Sequence, residues 1–121
     1  MKKQTILQIA KQISAPLEAI ASPQRIAILL IIGTGEACVC HLETALGWRQ
    51  AYISQHLMAL RQAGLLDSRR EGKYIFYRII KPDIIQLIQQ AAQIAVVVLP
   101  HIETVAPEQQ CGCPTCAPAS E

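Results

Sequence analysis

Residues 49–64 read RQAYISQHLMALRQAG, and the spacing inside this stretch decides the fold. Ile53, Leu57 and Leu60 recur every three or four residues, so a helix over Arg49–Ala63 carries them on one side. Ala51, Tyr52, Gln55, Ala59 and Gln62 then point roughly the other way, on a face that is small and polar. Gly64 supplies the stop. Upstream, Glu36–Leu46 predicts a shorter helix ended by Gly47, so two short helices meet at a tight turn. Downstream, Leu65–Arg70 and Tyr74–Ile79 are strand-like and joined by Glu71-Gly72-Lys73, a short glycine-containing connection. Helix, turn, polar-faced helix and hairpin in this order predict a winged helix-turn-helix, mainly α with a small β-hairpin.

The flanking segments supply the rest of the core. Ile6, Ile9 and Ile13 mark an amphipathic first helix ending near Pro16. Ser22 and Pro23, a capping residue before a proline, open a second helix that runs to Gly33 and is apolar on every face, as a central core helix should be. After Lys81-Pro82, Ile84, Ile88, Ala91, Ala95 and Val98 follow helical periodicity to about Leu99. With 51% hydrophobic and 17% charged residues in 121, the chain holds more apolar surface than one small core needs. The apolar stripes of the first and last helices therefore suit a partner subunit. Residues 1–105 form the expected DNA-binding and dimerisation domain. Residues 106–121, rich in Pro, Gly and Cys, read as a flexible tail.

Charge is segregated along the chain. Residues 47–81 carry seven Lys or Arg against two acids, a net +5, whereas residues 82–121 carry four acids and no base. A polyanion would meet the middle. On the winged-helix reading that polyanion is double-stranded operator DNA. Gln50, Tyr52, Ser54 and Gln55 are placed to read bases, and Arg49, Arg69, Arg70 and Lys73 to neutralise phosphates. His56 lies nearer the buried side and reads as a helix-packing residue. The longest apolar run, Ile26–Ile32, is too short to cross a bilayer, and the N-terminus lacks the pattern of a secretory signal. A cytoplasmic protein is expected. No paired carboxylates, phosphate loop or activated serine appears, so no enzyme is expected.

Four segments, Cys38-Val39-Cys40-His41-Leu42, Ala45-Leu46-Gly47, Gln50–Leu57 and Leu60–Leu65, resemble the ArsR/SmtB family of metalloregulatory repressors. The likeness covers roughly residues 17–100. It implies a homodimer that binds operator palindromes without metal and leaves them when metal binds, with dimer contacts through the first and last helices. It also implies that Cys38 and Cys40 are the inducer site, since a Cys-x-Cys at this place serves arsenite-, antimonite- and cadmium/lead-responsive members. Two positions depart from the usual pattern: Ala37 stands for Leu and His41 for Asp. His41 could add a nitrogen ligand, although a histidine near a helix start is ordinary. The Asp/His array that zinc-sensing relatives carry on the last helix is missing, because Ile85 and His101 do not supply it.

Two residues apart in a regular helix, Cys38 and Cys40 stand about 200° apart around the axis and cannot share one ion. Chelation therefore requires a non-helical or unwound first turn. At a helix start, N–H groups and the macrodipole favour thiolates, which bind soft ions. Ion capture is expected to remodel the start of the third helix, which leans on the fourth. Cys111, Cys113 and Cys116 in the tail are further thiol donors. Trivalent arsenic or antimony favours three sulfurs, and cadmium or lead takes up to four, so Cys38 and Cys40 with one or two tail thiols suit either class. The same thiols would also serve a redox or persulfide sensor, with Cys38 or Cys40 pairing with a tail cysteine. A metal buffer would need the cysteines but not the basic hairpin. Cys113-Pro114-Thr115-Cys116 resembles a glutaredoxin-type motif, but no βαβ unit surrounds it.

Overall fold

A computed structural model describes residues 3–99. The element order is α1 (Lys3–Ile20), α2 (Pro23–Ile32), β1 (Glu36–Cys38), α3 (Val39–Leu46), α4 (Gln50–Gln62), β2 (Leu66–Glu71), β3 (Tyr74–Ile79) and α5 (Asp83–Ile94). The three strands form one antiparallel sheet in the order β1-β3-β2. This is a winged helix-turn-helix, with α3 and α4 as the helix pair and β2–β3 as the wing.

Local chemistry sets most of the boundaries. Ser22 caps α2, its Oγ accepting from the Arg25 N–H, and Pro23 occupies the first turn, where a missing N–H costs nothing. Gly64, at φ +78°, ends α4 in a Schellman turn: Leu65 N–H donates to Leu60 O at 3.1 Å and Gly64 N–H to Arg61 O at 3.0 Å. Gly72, at φ +62°, makes the two-residue wing turn between paired Glu71 and Tyr74.

Three expected boundaries change. α1 does not stop at Pro16 but runs through it to Ile20. The Arg25 guanidinium, reaching from α2, donates to Ala19 O at 2.9 Å and satisfies a carbonyl of its last turn. α5 ends at Ile94 rather than near Leu99. Val96 adopts φ +57°, and Val97 N–H closes onto Ala92 O at 2.9 Å, a Schellman turn made without the glycine that would announce it. Lastly, the segment expected to open the third helix is strand β1: Glu36, Ala37 and Cys38 pair with Arg78, Tyr77 and Phe76 of β3.

The main core is aliphatic. Ile28, Leu29 and Ile32 of α2 meet Leu42 of α3 and Ile53, Leu57 and Leu60 of α4, all 3% exposed or less, closed by Leu65, Leu66, Ile84 and Ile88. The apolar stripe read for α4 is therefore the buried one. A second cluster, Cys38 and Phe76 with Cys40 and Tyr74 against them, is separate. Register explains the separation. Phe76 alternates with Tyr77, whose row contains Ala37 and faces the main core, so Cys38 and Phe76 lie on the sheet's other face.

α1 contributes little to either cluster. Ile6, Leu7 and Ile13 are each more than half exposed. Between Leu17 and Ile20 of α1, Leu30 of α2, and Leu87, Ala91 and Ala95 of α5 lies an almost wholly apolar groove of about 560 Å³. No single helix among the described residues is long and apolar enough to cross a membrane.

Candidate thiol site and nucleic-acid interface

Cys38 is the last residue of β1 and the N-cap of α3. Its backbone is extended (φ −82°, ψ 163°), and its Sγ accepts the His41 N–H at 3.2 Å, doing at this helix start what a serine or aspartate oxygen usually does. Cys40 sits in the first turn, half-buried, with its carbonyl accepting the Thr44 hydroxyl at 2.9 Å. The expected obstacle of two thiols on opposite sides of one helix is thereby removed, because Cys38 is outside the helix. The strand gives Cys38 a non-helical backbone, which a helical turn at this position would not.

Cys38 is only 1% exposed, packed in register against Phe76. Both cysteines border a cleft of about 220 Å³ whose other walls include Glu43 of α3, Gln50 at the start of α4, and Lys73 and Tyr74 of the wing. The thiols thus share one cavity with the first residue of the polar-faced helix and with the wing tip. Two cysteines outside any disulfide border this cleft, and thiol sulfur is the donor type that soft ions prefer. Among the described residues no three Cys, His, Asp or Glu are arranged to hold a metal ion, although Glu43 borders the same cleft. His41 is partly buried, and that burial lowers its pKa below the ordinary 6.5, favouring neutral imidazole. Cys111, Cys113 and Cys116 lie outside the described residues.

The residues expected to read DNA line the outer side of α4. Arg49, Gln50 and Gln55 are exposed, Ser54 is half-buried and Tyr52 is 40% exposed. Tyr52 is held edge-on by two rings, Trp48 at 5.5 Å and His56 at 4.8 Å between centroids. His56 packs as expected: its Nδ1 accepts from Arg25 Nε at 3.3 Å, tying α4 to α2. Burial, then the Arg25 charge, lowers the His56 pKa below 6.5.

The wing cations fall into two groups. Arg70 and Lys73 stand exposed at the tip, Arg70 Nε donating to Gly72 O at 3.1 Å and Lys73 Nζ lying 5.4 Å from the Tyr74 ring centroid. Arg69 is already engaged. Its Nε and Nη2 grip both Glu36 oxygens at 2.8–3.0 Å, and its guanidinium lies 4.5 Å above the Phe76 ring. Neither Glu36 nor Phe76 stands out in the sequence. Recognising Glu36 requires strand β1, and recognising Phe76 requires the register. The one available signal is the alternation Glu36-Ala37-Cys38 after Gly35, too short to separate from a helix start.

Residues 22–68 match the family described as "Bacterial regulatory protein, arsR family". A biofilm growth-associated repressor of Agrobacterium fabrum is 39% identical over 80 residues, covering 66% of this chain and 68% of that one. The chain belongs to the ArsR family. Within this ArsR-family group, the arsenical resistance operon repressor of Escherichia coli is 46% identical over 61 residues, 50% of this chain and 52% of its own length. Among solved structures, the homodimeric winged helix-turn-helix DNA-binding domain Mb0332 from Mycobacterium bovis superposes with a TM-score of 0.66 at 29% identity, covering 79% of this chain and 88% of that one. This ArsR-family chain is a transcriptional repressor of the ArsR/SmtB group, and its relatives by name include both arsenical and biofilm repressors.

Proposed function

We propose that this repressor grips double-stranded operator DNA as a homodimer in the cytoplasm, and releases it when trivalent arsenic or antimony is captured by Cys38 and Cys40. One observation carries the reading: the two thiols share a cleft with Gln50, which begins the DNA-facing helix, and with Lys73 and Tyr74 of the wing. An ion held there touches both DNA-contacting elements at once. The arsenical repressor among the relatives supports this ion class. Two sulfurs leave a three-coordinate ion one donor short, and a thiol from Cys111, Cys113 or Cys116 is the donor we assign. Cadmium or lead would use the same thiols with a further tail sulfur.

Dimerisation is assigned to the apolar faces of α1 and α5. Helices that leave Ile6, Leu7, Ile13 and Ile94 open to water need a second copy to cover them. Base contacts fall to Gln50, Tyr52, Ser54 and Gln55, and phosphate contacts to Arg49, Arg70 and Lys73, with Arg69 reaching DNA only when it leaves Glu36.

The test is a release titration. A duplex selected from a random pool by the metal-free protein is displaced with arsenite, antimonite, cadmium, lead and zinc. Wild type is expected to respond to arsenite and antimonite first, Cys38→Ser to neither, and a chain truncated after Val105 at higher ion concentration. Unchanged release from Cys38→Ser overturns the reading, and unchanged release from the truncated chain removes the tail from the site. Restoration of DNA binding by reductant alone, without a chelator, would transfer the thiols to redox sensing.

A further inference from the structure

The outer face of the sheet joins the thiol site to the wing by side-chain contact as well as by backbone pairing. Cys38, Phe76 and Arg69 occupy one row across all three strands, since Cys38 pairs with Phe76 and Phe76 with Arg69. At one end of the row is a buried sulfur, in the middle a wholly buried ring, and at the far end a guanidinium lying over that ring. Arg69 then reaches back over the middle strand to Glu36, two residues before Cys38, and closes the loop with three hydrogen bonds of 2.8–3.0 Å. Glu36 and Arg69 lie on strands that are not neighbours, so their contact clamps β1 to β2 over β3. A planar fork meeting both carboxylate oxygens resists small shifts in a way a point charge does not.

We propose that the Glu36–Arg69 pair is a latch that holds the wing in its DNA-binding position only while Cys38 remains seated against Phe76, and that ion capture opens it. This rests on the reading of Cys38 and Cys40 as the inducer site and adds the route by which that site is heard. Cys38 borders the cleft but is 1% exposed, its sulfur accepting the His41 N–H and its side chain seated beside Phe76, so in the proposed switch sharing an ion with Cys40 draws it away from Phe76. β1 is three residues long, so a rotation at its last residue is felt at its first, Glu36. With Glu36 withdrawn, β2 loses its side-chain tie to β1, leaving only the backbone pairing through β3, and Arg70 and Lys73 lose their fixed place beside DNA. The wing, rather than α4 alone, is the element that the ion biases, and Arg69 is a positioning residue.

Linkage makes this testable. A latch closed only in the ion-free state, when broken, weakens ion-free DNA binding and leaves ion-loaded binding alone, so the ratio of the two falls. For Glu36→Gln we expect ion-free affinity for the selected duplex to drop roughly three- to ten-fold, and the arsenite-induced loss to shrink by the same factor. Arg69→Lys keeps the charge but not the fork. It is expected to behave as Glu36→Gln does, whereas a plain phosphate contact would change both states equally and leave the ratio intact. The exchanged pair, Glu36→Arg with Arg69→Glu, is expected to regain part of the ratio. Amide hydrogen exchange over residues 74–79 gives a readout independent of DNA: faster with arsenite than without in wild type, fast in both states in Glu36→Gln. If wild type neither binds arsenite nor releases DNA, the inducer assignment has failed. If wild type releases normally and both single variants release by the same factor with unchanged wing exchange, the latch alone is overturned.

Discussion

The two faces of the small sheet hold different kinds of core. One packs Ala37, Tyr77, Leu66 and Ile79 against the helices, in an aliphatic interior with no buried polar or charged residue among those described. The other buries only Cys38 and Phe76 and is roofed by an arginine held from the side. The first has many equivalent contacts and a single good arrangement, as close-packed interiors do. The second depends on a few specific contacts, one of them a sulfur with a competing use. On the proposed reading, stability and switching are divided between the two sides of three strands.

Substitutions on each side sharpen the contrast. Leu57→Ala, in the centre of the main core, is expected to cost about 2–5 kcal/mol in denaturant unfolding, from reduced burial and the cavity left behind. It should leave the ion-induced change in DNA affinity of the surviving folded protein unaltered. Phe76→Leu, on the outer face, keeps an apolar side chain but removes the ring under Arg69, and is expected to cost less than Leu57→Ala, about 1–2 kcal/mol, yet to reduce the ion-induced change. In Phe76→Leu, a large stability loss without any effect on release would erase the distinction.

Phosphate neutralisation at the wing tip should register in salt dependence. Arg70→Ala is expected to lower the slope of log affinity against log salt by about 1, uniformly across sequences, because one fewer phosphate is neutralised. Arg69→Ala, its guanidinium spent on Glu36, should change that slope less.

The smallest expected effect is on pH. His56 belongs to the α4 side of the comparison, and its folded pKa lies below the ordinary 6.5 through burial and Arg25. Between those two values the unfolded chain binds more protons, so stability rises with pH through that window. A proton on Nδ1 would also remove the hydrogen bond from Arg25. His56→Gln is expected to flatten the dependence of Tm on pH below about 6.5.

Much of this is legible in the sequence because periodicity and caps are local. The α4 stripe of Ile53, Leu57 and Leu60, the Ser22-Pro23 start of α2 and the Gly72 turn each follow from neighbours along the chain. What escapes depends on distant partners. Pro16 reads as a stop, yet helix α1 continues past it and its last turn is finished by Arg25. β1 exists because β3 offers an edge to Glu36–Cys38, not because three residues favour a strand. Arg69 resembles its neighbour Arg70, and only the strand pairing shows that one meets Glu36 across the sheet while the other bonds only locally to the Gly72 carbonyl.

The central claim is that one event at Cys38 and Cys40 both captures the ion and frees the DNA. A single arsenite titration of the protein–duplex complex, following sulfur–arsenic absorption in the ultraviolet and duplex anisotropy together, tests it directly. Both signals are expected to saturate at the same equivalents of ion in wild type, and both to vanish in Cys40→Ser. Absorption that saturates while the duplex stays bound, or release with no absorption change, would contradict it.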